Sequence, residues 1–397
     1  MKKVLGLVLE LNPFHNGHLY FIQEAKKVVE PDLTIAVVSS SFTMRGEVSV
    51  IDKFTKTGLV LEAGIDLVFE LPFLCAVNSA DYFAYNALKI LTDVGITDLA
   101  FGVELAQPEK LLEMKRLVNS ELFQNLIREE LDRGYAYGTS AYRAIKQLTE
   151  DEDIIQNFTL PNNTLAIQYL RAIEELNPKI RFHMIRRIAN NYYDKEASGS
   201  IASATSIREK LARAENVELF LPNFTTPINF LNPKAAEEKI FFLLQYQATI
   251  LKAEGLGKIH GMTEGLENRF LHFIDQASSY EDLLQKMATK RYGTNKLRRL
   301  FLHILLETDK KYENQKVSCL RMLGADKQGL DYVRRLPKDI KKAIITTFKQ
   351  HETEDLIEKE LQATKLYGLL SEQKVLHMEE YKIPIIIGGK NDDKRSS

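Results

Sequence analysis

Short apolar runs alternate with longer amphipathic stretches through the first hundred residues, and this alternation most constrains what the chain can fold into. The segments Val4–Glu10, Thr34–Ser39, Leu67–Leu71 and Asp98–Gly102 are too short for helices. Their near-continuous hydrophobicity suits strands buried on both faces. Between them, helical spacing predicts helices over His18–Val29, Lys53–Ala63 and Ser79–Thr92. Strands joined by helices of ten or more residues pair in parallel through right-handed crossovers. The expected class is therefore α/β.

Further along, Gln107–Glu150 reads as helical throughout. A fifth strand is predicted in Lys179–Ile188, and a helix with a Ser/Thr-rich start in Ser203–Ala214. The prolines of Leu219–Pro233 suggest a domain boundary. Beyond it helical spacing dominates (Ala235–Glu254, Leu266–Ala277, Tyr280–Ala288, Asn295–Thr308), with strand patterns only in Lys316–Leu323 and in "IPIIIG" near the end. The expected organisation is an α/β domain over 1–218, a mostly helical domain over 234–389, and a disordered tail over 390–397.

A formal net charge of −1 gives no global attraction to nucleic acid or anionic membrane, so such a partner needs a local patch. The cysteines, Cys75 and Cys319, are too few for a metal cluster or a disulfide framework. No run approaches the ~20 apolar residues of a membrane span. The apolar run after "MKK" is short, ends at Glu10 and lacks a small-residue cleavage site. These features are those of a cytoplasmic protein.

In a parallel α/β sheet, ligands bind beyond the carboxyl ends of the strands, beside helix N-termini that offer unpaired N–H groups and partial positive charge. "NPFHNGH" occupies that place after the first strand, with His15 in the loop and His18 in the first helical turn. Two imidazoles there can donate hydrogen bonds to one phosphate chain, and chemistry at the α-phosphate of a nucleoside triphosphate needs mainly positioning and charge stabilisation. Gly17 would let a base or ribose approach the backbone. In "SIASATSIREKL", Ser203, Thr205 and Ser206 precede a helix whose first turn carries Arg208. The hydroxyls alone would suit an N-cap. An arginine in a first helical turn opposes the helix dipole, which fits a bound anion better than the helix by itself.

An H-x-G-H loop after the first strand, with a Ser/Thr-x-I-R helix start later in the same domain, resembles the nucleotidyltransferase superfamily, whose members transfer adenylyl groups on a Rossmann-like sheet. The succession "ELNPFHNGH", "RGEVSVIDKFTKT", "LVFELPF", "NSADYFA", "LAFGVE", "NNTLAIQYLRAI" and "SIASATSIREKL" is similar to the bacterial tRNA(Met) cytidine acetate ligase family. "ATKRYGTNKLRRLFLHILL", "RMLGADKQG" and "ATKLYGLL" extend the likeness over nearly the whole chain. Leu11, Ser40, Ser41, Val103 and Ala166 stand where that family usually has Tyr, Gly, Asn, Ser and Gly.

The resemblance implies a two-step reaction. Acetate would attack the α-phosphate of ATP to give acetyl-adenylate and pyrophosphate, and the wobble cytidine of elongator methionine tRNA would then take the acetyl group on N4. His15, His18 and Arg208 would be catalytic. The ATP-binding loop would comprise Leu7, Val8, Leu9, Glu10, Leu11, Asn12, Pro13, Phe14, His15, Asn16, Gly17, His18, Leu19 and Tyr20. Gly102, Asn162, Arg187, Ser203 and Ser206 would make further nucleotide contacts. Mg²⁺ would arrive with ATP, since no protein ligand cluster stands out. Gly102 would give room to a purine, the Asn162 amide would pair with ribose or base, and Arg187 would lie at the phosphates.

The densest basic cluster, Lys286–Arg299, carries Lys290, Arg291, Lys296, Arg298 and Arg299 around Tyr292 and is the candidate tRNA-binding segment. "RRLPKDIKK" (Arg334–Lys342) is a second. Arg45 and Lys53 are candidates to hold the anticodon or acetate. Two other readings stay open: an adenylyltransferase for a small phosphorylated metabolite, and an RNA-binding homologue with weak catalysis.

Overall fold

The structure is a computed structural model and describes residues 2–187, 201–263, 265–349, 351 and 354–388. Ile188, at the end of the predicted fifth strand, and the tail 390–397 lie outside the described residues.

Five parallel strands form the centre: β1 (Val4–Leu9), β2 (Leu33–Ser39), β3 (Leu67–Leu71), β4 (Asp98–Val103) and β5 (Arg181–Arg186). Their spatial order is β5-β4-β1-β2-β3, so the sheet grows outward in both directions from β1. The point where strand order reverses lies between β1 and β4, and a crevice opens there at the carboxyl ends. Alternation along the strands sorts the core. Leu5, Leu7 and Leu9 face one side with α1 (Asn16–Val29) and α2 (Lys53–Glu62). Ile35, Val37 and Phe69 face the other with the short α3 (Phe73–Ala76) and α4 (Ala80–Asp93).

The stretch expected to be continuously helical is three helices, Pro108–Asn119, Glu121–Asp132 and Tyr137–Ile145. Ser120 leaves the helical conformation to cap the second, and Gly134, at φ 85°, turns the chain into the third. Two further helices, Glu152–Asn157 and Pro161–Leu176, complete the insertion between β4 and β5.

The later half is mostly helical, but it also completes the sheet. β6 (Leu320–Ala325) lies antiparallel on β3, and the two-residue strands β7 (Ile344–Ile345) and β8 (Ile385–Ile386) both pair with β6. Sequence reading finds the β6 and β8 segments and misses β7. Cys319, Met322 and Phe348 therefore share the hydrophobic core of β3 and α4. The proline-rich segment expected as a boundary is strapped to the first half. Thr225 and Thr226 backbone N–H groups donate to Glu62 at 2.7 Å, Leu231 donates to Val50 O at 2.9 Å, and Phe224 stacks edge-on against Phe14.

The seam between the halves is charged. Lys53, fully buried, meets Glu70 at 2.6 Å, Glu360 at 2.7 Å and Glu380 at 2.5 Å. Burial works against its charge, but Glu360, Glu380 and Glu70 together raise its pKa. Burial and neighbouring Glu360 push the Glu70 carboxyl far above the usual range. Lys53 is thus a structural ion, correcting its candidacy for anticodon or acetate.

Candidate active site

The loop after β1 turns sharply. Leu11 is buried in the left-handed region at φ 55°, costly for a residue with a Cβ, and the chain reverses there into Asn12. The Asn12 side-chain oxygen accepts the Val50 backbone N–H at 2.9 Å, anchoring the loop from inside. α1 then begins with a reciprocal cap. His15 Nδ1 accepts from the Gly17 backbone N–H at 3.0 Å, and His18 Nδ1 accepts from the His15 N–H at 3.3 Å. The geometry is that of a capping box with imidazoles in place of Ser and Glu.

This double cap has a chemical consequence. An N–H donor must meet a lone pair, so both Nδ1 atoms are unprotonated and each neutral ring carries its proton on Nε2. Burial, then the charges of Arg187 and Arg208, lowers the His15 pKa to about 4. Burial, then His15, Arg187 and Lys56, lowers His18 well below its usual value. Both rings are neutral at pH 7, with centroids 3.9 Å apart. The backbone thus holds two Nε2–H donors side by side at a helix N-terminus. The cap reading of "HNGH" holds on the Nδ1 atoms and leaves the Nε2 atoms outside the cap.

At Gly17 a Cβ would lie 2.8 Å from His15 Cε1, so the missing side chain makes room for the His15 ring.

Arg208 is the fifth residue of the helix Ala204–Ala212, just past the first turn where the sequence pattern put it, and its Nη1 donates to Asn12 O at 2.8 Å. Its Nη2 reaches Thr205 Oγ1 at 3.3 Å and the Glu47 carboxylate at 3.2 Å. Two motifs nearly two hundred residues apart in sequence thereby meet on one loop. Ser203 caps this helix by accepting the Ser206 N–H at 3.1 Å, as the N-cap reading has it.

The other candidates gather across the crevice. Gly102, the last residue but one of β4, lies beside Arg187, where a Cβ would come within 3.3 Å of Arg187 Cγ, so the room it provides goes to that side chain. The Asn162 amide, expected for ribose or base, donates to Glu104 and accepts from Arg187 Nη1 at 3.2 Å. Glu104 also takes the backbone N–H groups of Asn162 (3.2 Å) and Asn163 (2.9 Å), capping the helix Pro161–Leu176. In the ATP-loop segment, Leu7, Leu9, Leu11 and Phe14 point into the core and can touch a ligand only through backbone.

Sequence reading misses Glu47, Glu104 and Lys56. Lys56 is fully buried, donates to Ser40 O at 2.9 Å, and has its pKa lowered by burial, against the pull of Glu10, to about 8. Glu10 is pushed up by burial while accepting the Met44 N–H at 2.7 Å. A lone acid or lysine carries no signal by spacing; only the fold brings Lys56 near His18, Glu47 to Arg208 and Glu104 to Asn162.

The basic segment divides. Lys290 and Arg291 are exposed, and Lys296 lies over the Tyr292 ring at 4.8 Å. Arg298 and Arg299 are turned toward the site loops. Arg299 Nη1 donates to Met44 O at 3.1 Å, and Arg298 lies 3.9 Å from Glu47. Both, expected as free phosphate contacts, brace the 44–47 loop in this structure. Among the described residues no group of three or more His, Cys, Asp or Glu could hold a metal ion, and no helix is long and apolar enough to cross a membrane.

Comparison with known proteins agrees with this geometry. The model of the HIGH nucleotidyl transferase family matches residues 1–382. The tRNA(Met) cytidine acetate ligase of Oceanobacillus iheyensis is 34% identical, over 96% of this chain and 99% of that protein. The ligase of the same description from Staphylococcus saprophyticus is 33% identical, over 97% and 99%. A crystal structure of Thermotoga maritima TmcAL bound with alpha-thio ATP superposes with a TM-score of 0.84 at 30% identity, covering 97% of this chain and 99% of that one. With the paired imidazoles and the arginine helix in place on a matching sheet, this chain belongs to the HIGH nucleotidyl transferase family and, within it, to the tRNA(Met) cytidine acetate ligases.

Proposed function

We propose that the protein is an ATP-dependent ligase that activates acetate as acetyl-adenylate and transfers the acetyl group to N4 of the wobble cytidine in elongator methionine tRNA. The observation that carries this is the pair of neutral imidazoles whose Nδ1 atoms are occupied by the backbone, leaving two Nε2–H donors beside Arg208 at a helix N-terminus.

The chemistry follows from that arrangement. An acetate oxygen attacks the α-phosphorus of ATP and pyrophosphate leaves. Charge moves onto the phosphate oxygens, and donors already aimed there stabilise it without reorganising. His15 and His18 donate uncharged hydrogen bonds, while Arg208 and Arg187 supply the positive charge. Mg²⁺ would come with the triphosphate and shield it. In the second step the cytidine amine attacks the acetyl carbonyl, AMP leaves, and the amine gives up a proton. Residues 1–218 would carry the adenylation site. Residues 234–389 would contribute much of the tRNA contact, through Lys290, Arg291 and Lys296, with Arg298 and Arg299 linking that surface to the site. A reaction on tRNA with free ATP and acetate places the protein in the cytoplasm.

The test is acetate-dependent exchange of labelled pyrophosphate into ATP, with and without tRNA. Exchange that requires acetate is the expected result. Its absence while ATP still binds would remove the adenylation step and with it this function.

A further inference from the structure

The helical insertion between β4 and β5 meets the basic segment of the second half at one residue. The Arg143 guanidinium carbon lies 4.0 Å from the Tyr135 ring centroid, and Lys290 Nζ, from a segment some 150 residues later, lies 5.8 Å from the same ring. The short helix Tyr137–Ile145 that follows Tyr135 shows two more tyrosines to solvent, Tyr137 at 57% and Tyr142 at 39% exposure. Both rings are open enough to meet a partner.

Charge and geometry narrow the partner. Arg143 is paired with Glu130 at 3.2 Å, but Lys290 and Arg291 make no ion pair among the described residues. Cations interleaved with exposed tyrosines suit a polyanion that also offers flat apolar faces. A duplex keeps its bases stacked inside, whereas an unpaired loop can lay them on aromatic side chains. The position agrees as well. The stretch that begins at Lys290 continues into the helix whose Arg298 and Arg299 hold the 44–47 loop, next to Arg208.

We propose that Tyr137 and Tyr142, beside the cation-flanked Tyr135, form a stacking platform for unpaired bases of an RNA loop, with Lys290 and Arg291 taking its phosphates. This inference rests on the tRNA reading above and adds to it a surface outside the basic segment.

The test compares the wild-type chain, Tyr137→Ala/Tyr142→Ala and Tyr137→Phe/Tyr142→Phe. Binding is measured to the anticodon stem-loop of elongator methionine tRNA and to a fully paired RNA duplex of equal charge. Pyrophosphate exchange, which uses no RNA, reports the nucleotide site in every variant. The alanine pair is expected to weaken stem-loop binding by about tenfold or more, since base–aromatic stacking contributes roughly 1–3 kcal/mol per base. The phenylalanine pair should bind like wild type, and duplex affinity should not change. Equal stem-loop binding by the wild type and the alanine pair overturns the platform and assigns these tyrosines to another partner class. An equal loss on the duplex also overturns it, because the effect would then not be stacking. Failure of the wild type itself to bind the stem-loop while exchange proceeds overturns the tRNA reading, and the platform with it.

Discussion

The Glu47 carboxylate lies 3.2 Å from the guanidinium of Arg208, and its other oxygen lies 3.9 Å from Arg298. One acid thus joins the helix that carries Arg208 to the helix that carries Arg298. The loop bearing it is held at Met44, whose N–H donates to Glu10 and whose carbonyl oxygen accepts from Arg299. Gly46 in the same loop, at φ 77°, packs so closely that a Cβ would fall 2.4 Å from the Arg299 backbone nitrogen. The 44–47 loop therefore connects Arg208 with the basic segment.

Glu47→Gln should loosen Arg208 without removing it. The side chains are 16% and 23% exposed, so solvent screens the pair only in part. A coupling of about 1 kcal/mol is expected for such a pair, which is roughly fivefold in KM for ATP. A double-mutant cycle with Arg208→Gln, read in pyrophosphate exchange, checks it. Strictly additive effects would show that the contact does not matter to ATP binding.

His15 has two duties that a substitution can separate. Asn at position 15 keeps a good N-cap acceptor and loses the Nε2 donor, so His15→Asn should keep its melting temperature. Its exchange rate should fall about 10²–10³-fold, the usual effect of removing one donor to developing charge. His18→Ala should abolish acetyl-adenylate formation while the protein stays folded. Thermal melts beside exchange assays check both.

The pH profile should show no histidine limb near neutrality. Because the folded His15 titrates near 4 rather than 6.5, the folded state prefers the neutral ring. Its contribution to stability is complete above pH 6.5 and is lost as pH falls toward 4. Accordingly, kcat/KM for ATP should show no His15 inflection near 6.5, since that parameter reports groups of the free enzyme; a change near pH 8 would belong to Lys56. An inflection near 6.5 that disappears in His15→Asn would contradict the tautomer assignment.

Lys53→Met should destabilise strongly. It leaves Glu70, Glu360 and Glu380 buried around an apolar side chain, and breaking a buried charge cluster on one side costs about 3–5 kcal/mol. Urea unfolding checks this. A companion Glu70→Gln should cost less, because burial and neighbouring Glu360 already disfavour the charge on that carboxyl.

What the sequence by itself determined is local. β1, β2, β3 and β4 are legible because a strand buried on both faces is apolar over most of its length. The turn into α1 is legible because His15, Gly17 and His18 act within one helical turn. Tertiary structure alone decided the rest. β6 lies antiparallel on β3 some 250 residues away, and no periodicity encodes a partner at that distance. Lys53 reads as a surface or site cation until three acids from separate segments surround it. Arg298 and Arg299 read as free phosphate contacts until the fold brings Glu47 and Met44 O to them. In each case the deciding energy is a pairing or a desolvation between residues far apart in the chain, and a sequence pattern records only what neighbours do to one another.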